Sequence, residues 1–448
     1  MADITYICKR TAVSTKPVQP GKYYPLSVLD RQMERNHLRI VFYYPSMRDM
    51  EAGEMSQRLR ESISEVLNHF PMVTGRLQKN GKGEWMVKCN DAGVRTVEAK
   101  AKGSVEEWLK CVDREKEVKL VYWEEMFHKP YFWSTFYVQT TQFEEGGFAI
   151  GLSCIHLLSD PICATMFIKA WADTSIARRM LSPPYIHPLP PRRPINKKTN
   201  HKLCTSLINH YKFAIEKTKS TTFRDEKHTT ITLSFTDHMV RTCMAMVHTK
   251  GEAETPSTSP FEALAGLFWV CVSKVKGVRN GLVNMSICLD VRRVLGLDKG
   301  FFGNCMIYNK VQTEIFQENY SLSQAARAVG EAVAKMDSEG IMDLIEWLQC
   351  NDNRLPPLMN GCDLVCASLE AVDPHLAMFV DGVAPIRVSY YVEPSLGLGQ
   401  VLILPPQPGE GPLSRVVMVT LPEDEVSRLC EDDLILRFSP TVLAGLKD

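Results

Sequence analysis

The chain has 448 residues, 45% of them hydrophobic and 23% charged, and its 52 basic and 52 acidic side chains cancel. That composition excludes a disordered chain, supplies length for two cores, and gives no electrostatic reason to expect nucleic acid or an anionic membrane as a primary partner. Fourteen cysteines lack CxxC pairs or metal-type histidine spacing, the start MADITYICKR has no signal-like apolar stretch, and no apolar run reaches membrane-spanning length, so the expectation is reduced thiols, no metal site, no direct membrane span and a cytoplasmic location.

Taken in order, Tyr24 to Asp30 reads as a loop leading to a strand from Ile40 to Tyr44. From Glu54 to Phe70 the apolar positions Leu59, Ile63, Val66, Leu67 and Phe70 share one helical face, and Pro71 ends that helix. Short strands are expected at Gly75 to Leu77, Trp85 to Cys89 and Val94 to Val97, separated by hairpin-type turns at Asn80-Gly81 and Asn90 to Gly93. Val105 to Val112 reads as a helix, and Tyr137 to Phe143 and Phe148 to Ile155 as strands.

The stretch around which the first half is arranged follows. His156 ends the apolar run, and Asp160 with Pro161 opens a helix bearing Ile162, Met166, Phe167 and Ala170 on one face. Two readings of the pair stay open at this point. His156 is a general base, because an imidazole can take a proton from an alcohol or amine near neutral pH, or it is a satisfied core histidine beside an ordinary helix cap. A third reading, a hydrolase using Ser153 or Cys154 beside His156, lacks the glycine pattern of a nucleophile elbow.

Six of the residues from Pro183 to Pro194 are proline, which predicts a linker; its Arg192, Arg193, Lys197 and Lys198 read as a solvated charge run. The second half is expected to carry strands at Thr229 to Phe235, Gly281 to Leu289, Ile386 to Tyr391, Val401 to Leu404 and Val416 to Thr420. Its expected helices are Asp237 to His248, Phe261 to Val275, Leu322 to Lys335, Met342 to Cys350 and Glu423 to Leu429, with Gly397 to Gly399 as a hairpin turn. The result is an α/β chain divided into residues 1–181, a linker at 182–225, and residues 226–448.

Several stretches, in order, resemble the motifs of the BAHD (HxxxD-type) acyl-CoA-dependent acyltransferases. Leu26 to Asp30 resembles LSxLD, Phe70 to Leu77 resembles YPLAGRL, and Lys88 to Val94 resembles the CNDxGV turn. His156 to Asp160 matches HxxxD, Pro260-Phe261-Glu262 to Trp269 resembles SSFEVLAAxxW, and Asp290 to Asn304 resembles DxRxR…YFGN. The resemblance covers nearly the whole chain. It implies two chloramphenicol-acetyltransferase-like domains, each a mixed sheet flanked by helices, joined by a long crossover linker around a channel, in a monomer. It further implies His156 as general base, Asp160 in a structural and orienting role, and Arg292 as the structural partner of Asp160. Acyl-CoA would be a co-substrate, with no bound cofactor, and the acceptor a small-molecule hydroxyl or amine attacking the thioester directly.

Two departures stand out. Where members carry DFGWGxP this chain has Phe379 to Pro385, reading FVDGVAP, and a Ser-Trp pair is matched by Ser368-Leu369. Loss of an oxyanion donor in such a region costs about 2.7 to 4 kcal/mol of barrier. Pro161 also replaces the small residue that usually follows HxxxD. With Val138 to Gly147 and the later GQVLILPP, these departures resemble the eceriferum and glossy-type branch. That branch is associated with cuticular wax, and some members act as partners of the β-ketoacyl-CoA synthase in very-long-chain fatty acid elongation. The first expectation is therefore an acyl-CoA-dependent acyltransferase in wax or very-long-chain lipid metabolism. The alternative is a non-catalytic partner of the elongase condensing enzyme, placed at the cytosolic face of the endoplasmic reticulum through that partner.

Overall fold

A computed structural model describes residues 4–19, 21–46, 52–126, 128–190, 201–220, 227–247, 258–278, 281–312, 320–351 and 362–445. The strands are β1 (Ile4–Ala12), β2 (Tyr23–Pro25), β3 (His37–Tyr44), β4 (Arg76–Lys79), β5 (Trp85–Lys88), β6 (Val94–Ala101), β7 (Phe136–Phe143) and β8 (Phe148–Ile155). They continue as β9 (His228–Phe235), β10 (Met285–Asp290), β11 (Met306–Lys310), β12 (Leu364–Ser368), β13 (Arg387–Glu393), β14 (Gln400–Leu404), β15 (Arg415–Pro422) and β16 (Thr441–Ala444). Among the helices, α1 (Val28–Arg31), α2 (Ala52–Val66), α3 (Val105–Lys110), α4 (Arg114–Val118) and α5 (Pro161–Ala177) precede α6 (His201–Ser220), α7 (Asp237–Val247) and α8 (Pro260–Val275).

The chain divides into two units, each drawn from three stretches of the sequence. The first comprises Met1–Leu189, Leu297–Cys305 and Val372–Pro394; the second comprises Pro190–Gly296, Met306–Ala371 and Ser395–Asp448. Contiguous domains at 1–181 and 226–448 are the simplest reading of a linker, and the observed division departs from it for a physical reason. β13 bonds along β3, from Arg387 opposite Tyr43 to Glu393 opposite His37, and carries its flanks into the first unit. Within 182–225 the structure also holds the α6 helix. Arg192, Arg193, Lys197 and Lys198 lie outside the described residues.

The first unit is built on a sheet of order β1-β6-β7-β8-β3-β13, in which only the β6–β7 pair is parallel. β8 lies inside the sheet, and every residue of its FAIGLSCI is buried, the pattern of a strand covered on both faces. A small sheet of β2, β5 and β4 belongs to the same unit. The β4–β5 hairpin at Asn80 is present, with Asn80 Oδ1 accepting the N–H groups of Lys82 at 2.9 Å and Glu84 at 3.0 Å. Asn90 to Gly93 is not a hairpin: β5 pairs in the small sheet while β6 pairs in the large one, so the turn carries the chain between sheets.

The second unit has a sheet of order β11-β10-β12-β14-β15-β9-β16, parallel at β10–β12 and β12–β14 and antiparallel elsewhere. Gly397 to Gly399 is likewise a turn without a hairpin, since β13 and β14 belong to different sheets. The α8 helix is buried along most of its length and opens on a capping box, Ser259 with Glu262, followed by Pro260 in the first turn.

Candidate active site

β8 delivers His156 to the end of the sheet. Gly151, midway along that strand, has no room for a side chain, because a Cβ there would lie 2.0 Å from the Leu120 carbonyl oxygen. After the strand the His156 N–H donates to the Asn36 carbonyl at 2.9 Å, and Leu158 and Ser159 close a tight turn onto Ile155 and His156. Asp160 then caps α5: its Oδ1 accepts the Cys163 N–H at 2.9 Å, and Pro161 occupies the first turn, where no N–H is needed. The unusual Pro161 therefore fits the local helix geometry.

His156 is 2% exposed, and its Nδ1 lies 3.0 Å from Oδ1 of Asn304. An oxygen opposite Nδ1 makes that nitrogen the donor and leaves Nε2 as the basic one. Asn304 Nδ2 donates to the His156 carbonyl at 2.9 Å and to Asp30 Oδ1 at 2.8 Å, and the Asn304 N–H reaches the same Asp30 oxygen at 3.0 Å. Asp30 in turn forms the capping box of α1, its Oδ2 accepting the Ser27 N–H at 2.7 Å while Ser27 Oγ accepts the Asp30 N–H at 3.1 Å.

Burial lowers the His156 pKa below its ordinary 6.5, against the opposing pull of its own carbonyl, the Asp160 charge and Asn304. The ring is thus neutral at pH 7, the state a general base needs. Burial also raises the Asp30 pKa, opposed by the donors from Asn304 and Ser27.

The second oxygen of Asp160 accepts the Cys305 N–H at 3.0 Å, tying the start of α5 to the segment that carries Asn304. Arg292 belongs to the second unit, where its Nη1 donates to Asp290 Oδ1 at 2.7 Å. Ser153 turns its hydroxyl to the Tyr122 carbonyl, and burial pushes the Cys154 thiol well up, so neither is prepared as a nucleophile. Phe379 to Pro385 is an ordered turn with Gly382 at φ +71°; the Phe379 ring packs edge-on against Trp171 at 4.8 Å and Tyr44 at 5.8 Å. In the second unit Ser368 Oγ donates to Glu370 at 3.2 Å, and Leu369 is buried. Among the described residues no group of three His, Cys, Asp or Glu is placed to hold a metal ion, and no helix is long and apolar enough to cross a membrane.

Asn304 and Asp30 are the site residues that sequence reasoning did not single out. Each stands at the last position of a quoted motif, YFGN-like and LSxLD-like, and that was the only signal available.

A family model described as the Transferase family matches residues 2–432. Among curated proteins, the chain is 26% identical over 424 residues to Protein ECERIFERUM 26-like of Arabidopsis thaliana, covering 94% of this chain and 92% of that protein. Among solved structures it resembles vinorine synthase, with a TM-score of 0.73, 18% identity, and 98% of this chain and 100% of that one covered. It also resembles TRI101 of F. graminearum, solved with ethyl coenzyme A, with a TM-score of 0.74, 13% identity, and 94% and 99% covered.

Proposed function

The chain belongs to the Transferase family of BAHD acyl-CoA-dependent acyltransferases, and from that premise we propose that Nε2 of His156 is the general base that moves an acyl group from CoA to a hydroxyl or amine acceptor. The observation that carries the reading is the buried, neutral imidazole whose Nδ1 faces Asn304 Oδ1 at 3.0 Å. Nε2 takes the proton of the acceptor as its oxygen or nitrogen bonds to the thioester carbonyl carbon. The carbon–sulfur bond then breaks, and the proton passes from His156 to the departing thiolate, giving ester or amide and free CoA. Asp160 orients rather than reacts, and no acyl-enzyme forms.

A place in wax or very-long-chain lipid metabolism is supported by the likeness to the eceriferum protein. The same likeness, together with FVDGVAP where the family has DFGWGxP, favours a second reading, a non-catalytic partner of an elongase condensing enzyme. Expression of wild type and His156→Ala with such an enzyme in a microbial host, with acyl products profiled by mass spectrometry, separates the two. A new ester or amide made by wild type alone supports the base; equal lengthening of acyl chains by both supports the partner.

A further inference from the structure

Asn304 makes three side-chain contacts, and together they fix which end of its amide is oxygen. Nδ2 has two acceptors, Asp30 Oδ1 at 2.8 Å and the His156 carbonyl at 2.9 Å. Turned over, the amide would set its oxygen against both and forfeit two buried hydrogen bonds. Oδ1 must therefore face the ring, and an amide oxygen only accepts, so Nδ1 carries the hydrogen. Three N–H groups point at Asp30, two from Asn304 onto Oδ1 and one from Ser27 onto Oδ2, so toward Asn304 the Asp30 side chain acts as the acceptor.

We propose that Asp30 and Asn304 are positioning residues: Asp30 sets the orientation of the Asn304 amide, and that amide holds the His156 proton on Nδ1, leaving Nε2 bare. The inference rests on the reading of His156 as base, and it assigns the aspartate of the LSxLD-like stretch an influence on chemistry through a residue 274 positions away. A merely structural tie would show in stability alone; a positioning role also moves the tautomer and the titration of the ring.

The test needs no substrate. The full chain is labelled with 15N-histidine, its ring nitrogens are read in long-range proton–nitrogen spectra at neutral pH, and His156→Gln assigns the signals. Wild type is expected to show a protonated Nδ1 and a bare Nε2. The carbonyl of His156 also faces the ring, so Asn304→Leu and Asp30→Asn are expected to lower the ratio of Nδ1–H to Nε2–H by about tenfold rather than invert it, the equivalent of one buried hydrogen bond. A wild-type ring protonated on Nε2 overturns the proposal, whichever variants fold, and so does an unchanged ratio in folded Asn304→Leu or Asp30→Asn. If the ratios move as expected but no acyl transfer is found in any assay, the tautomer control stands and the base reading falls.

Discussion

Asp160 and Cys305 meet at 3.0 Å, the carboxylate of one accepting the backbone N–H of the other. The same carboxylate caps α5 through Cys163, so one buried side chain pins the helix start to the segment bearing Asn304. Asp160→Ala is expected to destabilise the protein by about 2 to 4 kcal/mol, combining a lost cap with an N–H left without its acceptor. Denaturant unfolding measures it; a loss within a few tenths of a kcal/mol would show that these contacts do not hold the site together.

Gly151 fixes the path of the strand that delivers His156. Because its missing side chain leaves 2.0 Å between an ideal Cβ and the Leu120 oxygen, Gly151→Ala must push backbone apart, at a cost of about 1 to 3 kcal/mol or more. A lowered melting temperature is expected, and an unchanged one would mean the Leu120 loop yields freely.

In the second unit, His210 on α6 lies 3.3 Å from Ser286 Oγ, and its Nδ1 has no hydrogen-bond partner among the described residues. Burial, with a smaller push from Lys310, lowers its pKa to about 4 from 6.5. The unfolded chain therefore binds more protons, and stability falls as pH drops through 6.5 until the folded value is reached. The cumulative loss is about 3 kcal/mol. His210→Gln is expected to flatten the unfolding free energy over that interval, leaving the same-signed slope from His156. A slope equal to that of wild type would contradict it.

Much of the fold was legible because several motifs are local devices. The LSxLD-like stretch is a capping box between Ser27 and Asp30, and Ser259 with Glu262 makes another at the start of α8. Asp160 followed by Pro161 reads directly as a helix start, and the structure begins α5 there. Arg76 explains why the CNDxGV-like turn travels with the preceding stretch: its buried guanidinium donates to the Ala92 and Gly93 carbonyls at 2.9 Å each.

What was not legible depends on partners distant in sequence. Asn304 reaches His156 across 148 positions, and no local spacing announces it. The turns at Asn90 to Gly93 and Gly397 to Gly399 carry ordinary hairpin chemistry, yet the strands on either side of each belong to different sheets. β1 escaped notice because it is an edge strand, exposed over most of its length, and so lacks the apolar pattern of a covered one.

The most direct measurement is the rate of free CoA release from a long-chain acyl-CoA by purified wild type and His156→Gln, across a panel of primary alcohols and amines, with both proteins matched for melting temperature. Wild type is expected to turn over at least one acceptor and to keep its rate into mildly acidic pH, because the ring protonates below 6.5. His156→Gln is expected to be slower by about 100-fold to 10,000-fold. Equal rates in the two proteins would contradict the assignment of His156 as the base.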